Sequence, residues 1–274
     1  MQYQENGWVG IVFTILCLIF VMLNIKRAKT KNPPQIRKIP GLGAIKEAVE
    51  RATEMGKPIL MVPGIGGLDV VSIQALNIFS YITRIAARFA TPIRICCIDP
   101  AVYTLAEEII SETYRSEGFA ERYDPDSIRF ISDRQFAFAA GVAGIIYQEQ
   151  VAATFYLGEF FAESLILAEA ANTAGAIQIA GSTRNMQTPF FIAACDYVLI
   201  SDEFYAASAS LTKEPVFLGS IVGQDWCKLL VGFSILLGVL VNSYLKVSPA
   251  WSGEAPPPDK NLMMYRLFAT DPKK

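Results

Sequence analysis

Apolar and polar positions follow three different patterns along this chain. Two continuous apolar runs, Trp8–Ile25 and Leu229–Leu245, lie near its ends and contain no charged residue. Between them, short apolar runs bounded by turn residues alternate with longer segments whose apolar residues recur at helical spacing. Short runs of this kind predict buried strands, and the periodic segments predict amphipathic helices.

The middle of the chain predicts alternating strands and helices. Six runs predict strands: Pro58–Val62, Ile93–Ile98, Ile128–Ile131, Val151–Leu157, Ala176–Ala180 and Tyr197–Ile200. Seven segments predict helices: Ile45–Met55, Val70–Phe89, Leu105–Tyr114, Phe136–Tyr147, Phe160–Ala174, Pro189–Ala194 and Asp202 to about Ser210. Apolar strands separated by helices indicate a parallel sheet covered on both faces. Six such units are too few for an eightfold barrel, so we expect an open, doubly wound, Rossmann-like α/β sheet.

The N-terminal apolar run predicts a transmembrane helix, because about 18 uncharged residues cross a bilayer core with help from their flanks. A cleaved signal peptide is the alternative, but residues 1–7 hold no Lys or Arg and no small-residue cleavage site follows. Basic residues follow the run, and no acid lies between the run and Glu47: Lys26, Arg27, Lys29, Lys31, Arg37 and Lys38. The positive-inside rule then places the middle domain in the cytoplasm, and this cluster also attracts anionic membrane lipid.

The second apolar run, Leu229–Leu245, predicts another transmembrane helix with Trp226 and Tyr244 as interface aromatics. A buried core helix is the alternative. Three residues at intervals of four would share one face and admit a partner helix, unless their spacing is accidental: Ser234, Gly238 and Asn242. If both runs span the cell (inner) membrane, both termini lie on its outer side.

Six parts follow along the chain. They are an outside N-terminus (1–7), a span (8–25), a basic and Pro-containing linker (26–40), a cytoplasmic α/β domain (41–226), a second span (229–245) and a Pro-containing outside tail (246–274).

Composition excludes several kinds of chemistry. The net charge of −2 favours no nucleic acid or other charge-driven partner. The chain contains no histidine, which removes the commonest general base and the commonest metal ligand. Its five cysteines include no CxxC pair, so we expect reduced thiols rather than a disulfide or metal set. We predict no cofactor.

Two loops after predicted strands form a candidate ligand-binding edge. A glycine-rich turn at residues 64–67 precedes a helix, where backbone N–H groups can hold a phosphate. The match is partial, because Asp69 stands where the dinucleotide motif has glycine and no P-loop Lys-Ser/Thr follows. A tight structural turn is the alternative. The candidate residues, including an acid for a ribose and a polar anion-binding loop, are Gly64, Gly66, Gly67, Asp99, Ser182, Thr183 and Arg184.

Carboxylates also collect where the predicted strands end. They are Asp69, Asp99, Asp133, Glu159 and Asp202. This edge binds ligands in open α/β sheets, but each residue also precedes or begins a helix, so helix capping is the alternative explanation. Glu159 and Glu163 would suit only a hard Mg²⁺ or Ca²⁺ ion, and we predict no metal site. Neither Ser182 nor Thr183 has a base beside it, so we predict no catalytic residue.

Two predicted helices have almost no polar face. Phe136–Tyr147 is apolar all round, and Phe160–Ala174 combines five alanines with large apolar residues. A helix on the surface of a single domain keeps a polar face. We therefore expect these helices to lie either in the centre of the domain or at a subunit interface.

Residues from about Gly41 to Trp226 resemble an uncharacterised bacterial membrane-protein family. The similar stretches are VPGIGGLDVVSIQALNIFSYI, IDPAVYTLAEEI, YLGEFFAESLILAEAANTAGAIQIAGST and FLGSIVGQDW. The resemblance implies an α/β domain of unknown function with flanking membrane helices, and it implies no catalytic residue.

Two functional hypotheses follow. The first is a non-enzymatic membrane scaffold or complex subunit, which assembles through its alanine-rich helices or the Ser234/Gly238/Asn242 face. The alternative is a nucleotide- or anion-binding sensor, or a degenerate enzyme, that uses the strand-end loops. A ligand-sized pocket at the strand ends would favour the alternative.

Overall fold

A computed structural model describes residues 7–29, 40–212 and 215–252 of the chain. It divides into two compact units. One unit is residues 37–213, and the other combines residues 1–36 with residues 214–274. Of the predicted parts, residues 1–6, most of the basic linker (30–39) and the end of the tail (253–274) lie outside the described residues.

The larger unit alternates strands and helices as predicted. Its strands are β1 (Ile59–Gly64), β2 (Ile93–Cys97), β3 (Ile128–Phe130), β4 (Ala153–Glu159), β5 (Ile177–Ser182) and β6 (Tyr197–Ile200). Its helices are α2 (Pro40–Met55), α3 (Val70–Phe89), α4 (Pro100–Ser116), α5 (Gln135–Glu149), α6 (Glu163–Ala174), α7 (Thr188–Ala194) and α8 (Asp202–Thr212). Helix α1 (Gly7–Ala28) precedes these elements, and α9 (Pro215–Ser252) follows them.

All six strands form one parallel sheet in the order β3-β2-β1-β4-β5-β6. The predicted parallel α/β sheet is therefore confirmed. The register places Ile59 of β1 beside Ile93 of β2 on one side and Ala153 of β4 on the other. From β1 the chain steps outward to β2 and β3, and from β4 it steps outward in the other direction to β5 and β6. The strand order therefore reverses between β1 and β4, which are the two central strands.

Helices cover the sheet on both faces. Helix α3 packs against α2, α4 and α8, whereas α6 packs against α5 and α7. Right-handed crossovers explain the division, because β1 steps to β2 in one direction and β4 steps to β5 in the other. The two all-apolar helices, α5 and α6, lie side by side in one layer, so each buries one side against the sheet and its neighbours.

The core is built from the central strands and the helices that pack on them. Leu60 and Val62 of β1 cluster with Phe138 of α5 and Phe160 after β4, all of them buried. Ile59 and Met61 are also fully buried. Because successive strand residues point to opposite faces, a continuous apolar strand contributes to both layers at once.

Local side-chain contacts set where the helices begin. Asp69 caps α3 by accepting a hydrogen bond from the Ser72 backbone N–H (2.8 Å), so the predicted bounds Val70–Phe89 are correct. Helix α6 begins at Glu163 rather than at the predicted Phe160. The Glu163 carboxylate accepts a hydrogen bond from the Phe161 backbone N–H (2.8 Å), which holds residues 160–162 in a turn before the helix.

The smaller unit contains two long helices that pack against each other, α1 and α9. Helix α9 begins at Pro215 and continues to Ser252, so it extends beyond the predicted span Leu229–Leu245 in both directions. Residues 215–226, which we assigned to the α/β domain, form its first turns. The predicted span is shorter than α9 because Asp225 and Lys228 interrupt the apolar run.

Three of the described helices are long and apolar enough to cross a membrane: Gly10–Ala28, Val70–Phe89 and Pro215–Val241. The second is α3, which packs on the sheet and buries ten of its residues. The other two make α1 and α9 candidate spans near the two ends of the described chain.

Candidate functional site

The carboxyl ends of β1 and β4 meet at the point where the strand order reverses. From there the chain enters α3 from β1 and α6 from β4, on opposite faces of the sheet. In open α/β sheets a ligand crevice lies at this position. The predicted ligand edge is therefore centred on Gly64 of β1 and Glu159 of β4.

Two glycines allow the central strands to meet at this edge. Gly64 has φ +84°, and a Cβ on it would lie 2.3 Å from the Glu159 carbonyl oxygen. Gly158 has φ +146°, and a Cβ there would lie 2.1 Å from the Pro63 oxygen. The Ile65 N–H donates to the Glu159 oxygen at 2.8 Å. Gly64 therefore allows β1 to approach β4 closely, which agrees with the alternative of a tight structural turn.

Glu159 connects the two predicted loops. Its carboxylate pairs with the Arg184 guanidinium (Nε to Oε1, 2.6 Å), and that guanidinium lies over the Phe161 ring at 5.4 Å. The Ser182 hydroxyl accepts a hydrogen bond from the Arg184 N–H at 3.2 Å. A Cβ on Gly66 would lie 3.4 Å from the second Glu159 oxygen. The candidate residues around residues 64–67 and 182–184 therefore lie together.

Carboxylates already occupy two of the helix N-termini at this edge. Asp69 accepts from the Ser72 N–H, and Asp99 accepts from the N–H groups of Ala101 (2.8 Å) and Val102 (3.0 Å). The Asp99 carboxylate also lies beside Gly67, where a Cβ would be 3.9 Å from its Oδ2. Capping is confirmed for both residues. A phosphate at the 64–67 turn would compete with these carboxylates for N–H groups and be repelled by their charge.

Tyr205 of α8 belongs to the same edge, although no pattern in the sequence indicated it. Burial raises the pKa of its hydroxyl, and the nearby carboxylates of Asp69, Asp202 and Glu159 raise it further. The hydroxyl therefore stays protonated and can donate a hydrogen bond at neutral pH. Together with the carboxylates, this chemistry suits a cationic or hydroxyl-rich ligand better than an anion.

The remaining acids at this edge have separate roles. Glu163 is fully buried, and its carboxylate accepts hydrogen bonds from the Phe161 N–H and the Gln135 side-chain amide. Glu159 pairs with Arg184 instead, so these two acids have different partners. Asp133 is exposed, and the residue at the α5 N-cap is Arg134. Among the residues that the structure describes, no three Cys, Asp or Glu side chains form a group suited to a metal ion.

The cysteines of the α/β unit are free thiols. Burial raises the pKa of Cys96 to about 12, and it raises the pKa of Cys97 as well. Cys195 is half-buried, and burial raises its pKa to about 12. Thiolates are the reactive form, so these three residues lack the environment of a nucleophile.

A second feature is the outer surface of the α5, α6 and α7 layer. Six apolar residues on it are exposed: Phe136, Ala140, Leu165, Ile166, Phe190 and Ile192. We call these residues the apolar layer surface. Helix α7 contains no charged residue, and α5 contains none before Glu149. Patches of this kind mark interaction surfaces more often than isolated exposed residues do.

A cavity of about 370 Å³ lies at the opposite edge of the sheet, where β2 begins. Arg94 and Arg122 line it together with Asp124. The Arg94 guanidinium is held by Glu149 (2.8 Å) and donates to its neighbouring Ile93 oxygen (2.9 Å). The Arg122 guanidinium donates to the Ala87 oxygen (2.7 Å). The two cations of this cavity are therefore engaged by protein groups.

These features define the class of the protein. It combines a six-stranded parallel α/β domain with candidate apolar spans near both ends. The family model for a domain of unknown function, DUF6754, matches residues 1–250, and the chain belongs to that family. No curated protein and no solved structure matches the chain. The family match confirms the expected family of unknown function, while its bacterial membrane origin stays a prediction.

Proposed function

We propose that this protein is a membrane-anchored, non-enzymatic assembly subunit whose α/β domain self-associates through the apolar layer surface. The observation that carries the proposal is the exposure of that surface. Phe136 is 63% exposed and Leu165 is 46% exposed, on adjacent helices. Exposed apolar side chains that lie on adjacent helices promote association.

Helices α1 and α9 provide the anchor in this proposal. Both are apolar enough to span, and their antiparallel packing would place the two chain ends on one side of a bilayer. Lys26 and Arg27 lie in the last turn of α1. The positive-inside rule then assigns the α/β domain to the cytoplasm and both termini to the outside of the inner membrane.

Membrane anchoring allows a modest apolar surface to support self-association. Each half-exposed large apolar side chain gains about 1 kcal/mol when it is buried, so the five large ones gain about 5 kcal/mol in each copy and about 10 kcal/mol in a symmetric pair. Free association costs about 4–15 kcal/mol in lost motion, which offsets most of that gain, so the surface alone would give weak binding. Two spans hold the domains in one plane and raise their effective concentration, which favours assembly without new contacts.

A matched pair of leucines tests the proposal. Leu165 is 46% exposed and Leu167 is fully buried, two positions along the same helix. Leu165→Glu should leave the domain folded and convert the extracted full-length protein to a monomer by native mass measurement. Leu167→Glu should unfold the domain, because it places a charge in the core. A wild-type protein that is monomeric at all concentrations in lipid nanodiscs would refute the proposal.

Ligand sensing at the carboxyl edge is a second candidate function. One observation favours it, because the strand order places Asp99 at the end of β2, beside the crevice of a doubly wound fold. The carboxylates of Asp69, Asp99 and Glu159 oppose a phosphate, so a ligand here would be neutral or cationic. Thermal shift measurements with a nucleoside and its monophosphate separate these cases. Stabilisation by the monophosphate alone would restore the anion-binding interpretation.

A further inference from the structure

The cavity where β2 begins contains a guanidinium group that uses only one of its nitrogens within the protein. Arg122 lines the cavity from a short helical turn, Ala120–Arg122. Its Nη1 donates hydrogen bonds to the carbonyl oxygens of Ala87 (2.7 Å) and Arg88 (3.3 Å), at the end of α3. In the part of the chain that the structure describes, Nε and Nη2 of Arg122 donate no hydrogen bond. These two nitrogens form one edge of the guanidinium, and that edge can bind a ligand.

Two buried hydroxyl groups belong to residues of the cavity wall, Tyr114 and Ser127. Ser127 is 3% exposed, and its hydroxyl has no hydrogen-bond partner among the described residues. Burial raises the pKa of the Tyr114 hydroxyl, the Asp124 carboxylate raises it further, and the Arg122 guanidinium lowers it. The Tyr114 hydroxyl is therefore protonated at neutral pH and lies near Arg122. A buried hydroxyl without a partner is unfavourable, so an acceptor atom on a ligand would stabilise this wall.

The charges around the cavity favour a ligand with a single negative charge. The Glu149 carboxylate pairs with both Arg94 (2.8 Å) and Arg129 (3.0 Å). The Asp124 carboxylate lies 3.7 Å from the Arg94 guanidinium. With Arg122 included, the set contains three guanidinium groups and two carboxylates, so it carries one net positive charge. A monoanion balances that charge, whereas the second charge of a phosphate would be repelled by Asp124.

We propose that this cavity binds a small monocarboxylate, which accepts hydrogen bonds from Nε and Nη2 of Arg122 and from the Tyr114 hydroxyl. A planar carboxylate matches the edge of a guanidinium, because two parallel N–H bonds reach its two oxygens. Ala90, Pro92 and Ile93 also line the cavity and suit the hydrocarbon part of such a ligand. The volume of about 370 Å³ holds about twelve non-hydrogen atoms, at roughly 30 Å³ each. The site goes beyond the proposed assembly role, since no residue of the apolar layer surface lines it.

Titration of isobutyrate into the full-length protein in lipid nanodiscs tests the site. Saturation-transfer NMR on the isobutyrate methyl protons gives the Kd. Isobutyramide is the matched neutral probe, because it has the same shape without the charge. Inorganic phosphate, measured by competition with isobutyrate, is the probe for a multiply charged oxyanion. Because Arg122 is exposed, we expect a Kd of about 1 mM for isobutyrate. Isobutyramide should bind at least about tenfold more weakly.

Three variants separate the proposed contacts from a general effect of charge. Arg122→Gln removes the guanidinium and keeps an amide donor for the Ala87 oxygen, and it should weaken isobutyrate binding at least about tenfold. Tyr114→Phe removes one hydroxyl and should weaken binding about fivefold. Arg84→Gln is the matched control, because Arg84 pairs with Glu117 (3.0 Å) and does not line the cavity. It removes the same charge and should leave the Kd within about twofold, since solvent and salt screen a distant exposed charge.

Melting temperatures verify that each variant is folded. If Arg122→Gln does not fold, Tyr114→Phe alone decides the outcome. Equal affinity for isobutyrate and isobutyramide, or an unchanged Kd in a folded Arg122→Gln or Tyr114→Phe protein, would overturn the site. Arg84→Gln weakening the binding as much as Arg122→Gln would also overturn it, because the effect would then be one of general charge. Phosphate binding more tightly than isobutyrate would overturn the monocarboxylate assignment. None of these outcomes depends on the oligomeric state of the Leu165→Glu protein.

Discussion

Replacing Gly158 with alanine tests how the centre of the sheet is held together. The new Cβ would lie 2.1 Å from the Pro63 oxygen and 2.7 Å from the Pro63 carbonyl carbon, which are backbone atoms of the neighbouring strand. The residue would also keep φ near +146°, a conformation that alanine rarely adopts. Relief therefore requires β1 and β4 to separate at the carboxyl edge.

The cost has two contributions. A strained backbone conformation costs about 1–3 kcal/mol. Separation of the strands also weakens the bond from the Ile65 N–H to the Glu159 oxygen, worth about 1 kcal/mol. The total of about 3 kcal/mol should lower the melting temperature of a domain of this size by roughly 6–12 °C.

Gly144→Ala is the matched control for this prediction. Gly144 lies inside α5, and a Cβ there meets no heavy atom within 4 Å. Alanine favours a helix interior over glycine, so this variant should be more stable by about 0.5–1 kcal/mol. Thermal unfolding of the purified full-length protein, followed by circular dichroism, gives both values. A Gly158→Ala protein that melts within about 2 °C of wild type would refute the close approach, because that shift corresponds to less than 1 kcal/mol, roughly, in a domain of this size.

Three further predictions use other parts of the chain. Ala140→Glu should reduce self-association while the domain stays folded, because Ala140 is exposed. Ala139→Glu should unfold the domain, because Ala139 is fully buried. Equal melting temperatures for the two variants would contradict this prediction. Cys96 and Cys97 should resist alkylation until the protein is denatured. Because the raised pKa of the buried Cys96 favours the protonated folded state, the melting temperature should fall as pH rises from about 9 toward 12. A cysteine replacing Ser252 should react with an impermeant reagent from outside intact cells, and labelling only after lysis would reject the two-span topology.

The sequence was informative where burial alone decides structure. The strands and most helices were predicted because apolar periodicity records burial directly, and α3 was predicted to the residue because Asp69 is both a strong cap signal and an observed cap. Helix α9 was underestimated, since Asp225 and Lys228 are unfavourable in an apolar span. Its packing glycines, Gly219 and Gly223, lie before the predicted run and were therefore missed.

The candidate site was predicted only in part. The residues around 64–67 and 182–184 were expected at one edge, and the structure places them there. The role of Glu159 between them and the nearness of Tyr205 depend on how distant segments meet in space. A single sequence contains no periodic signal for such contacts. The Ser234/Gly238/Asn242 face stays a prediction, since the side chain of Asn242 lies outside the described residues.

The pairing of β1 with β4 also affects how the chain is synthesised. Ile59 meets Ala153, about 95 residues later, whereas β1 and β2 are joined by a single helix. At roughly 5–20 residues per second, β1 therefore waits roughly 5–20 s on the ribosome with one edge unpaired. An open apolar strand edge is a template for aggregation. A nascent chain that stops after β3 would keep that edge open permanently, so truncated products should be the first to require a chaperone or a protease.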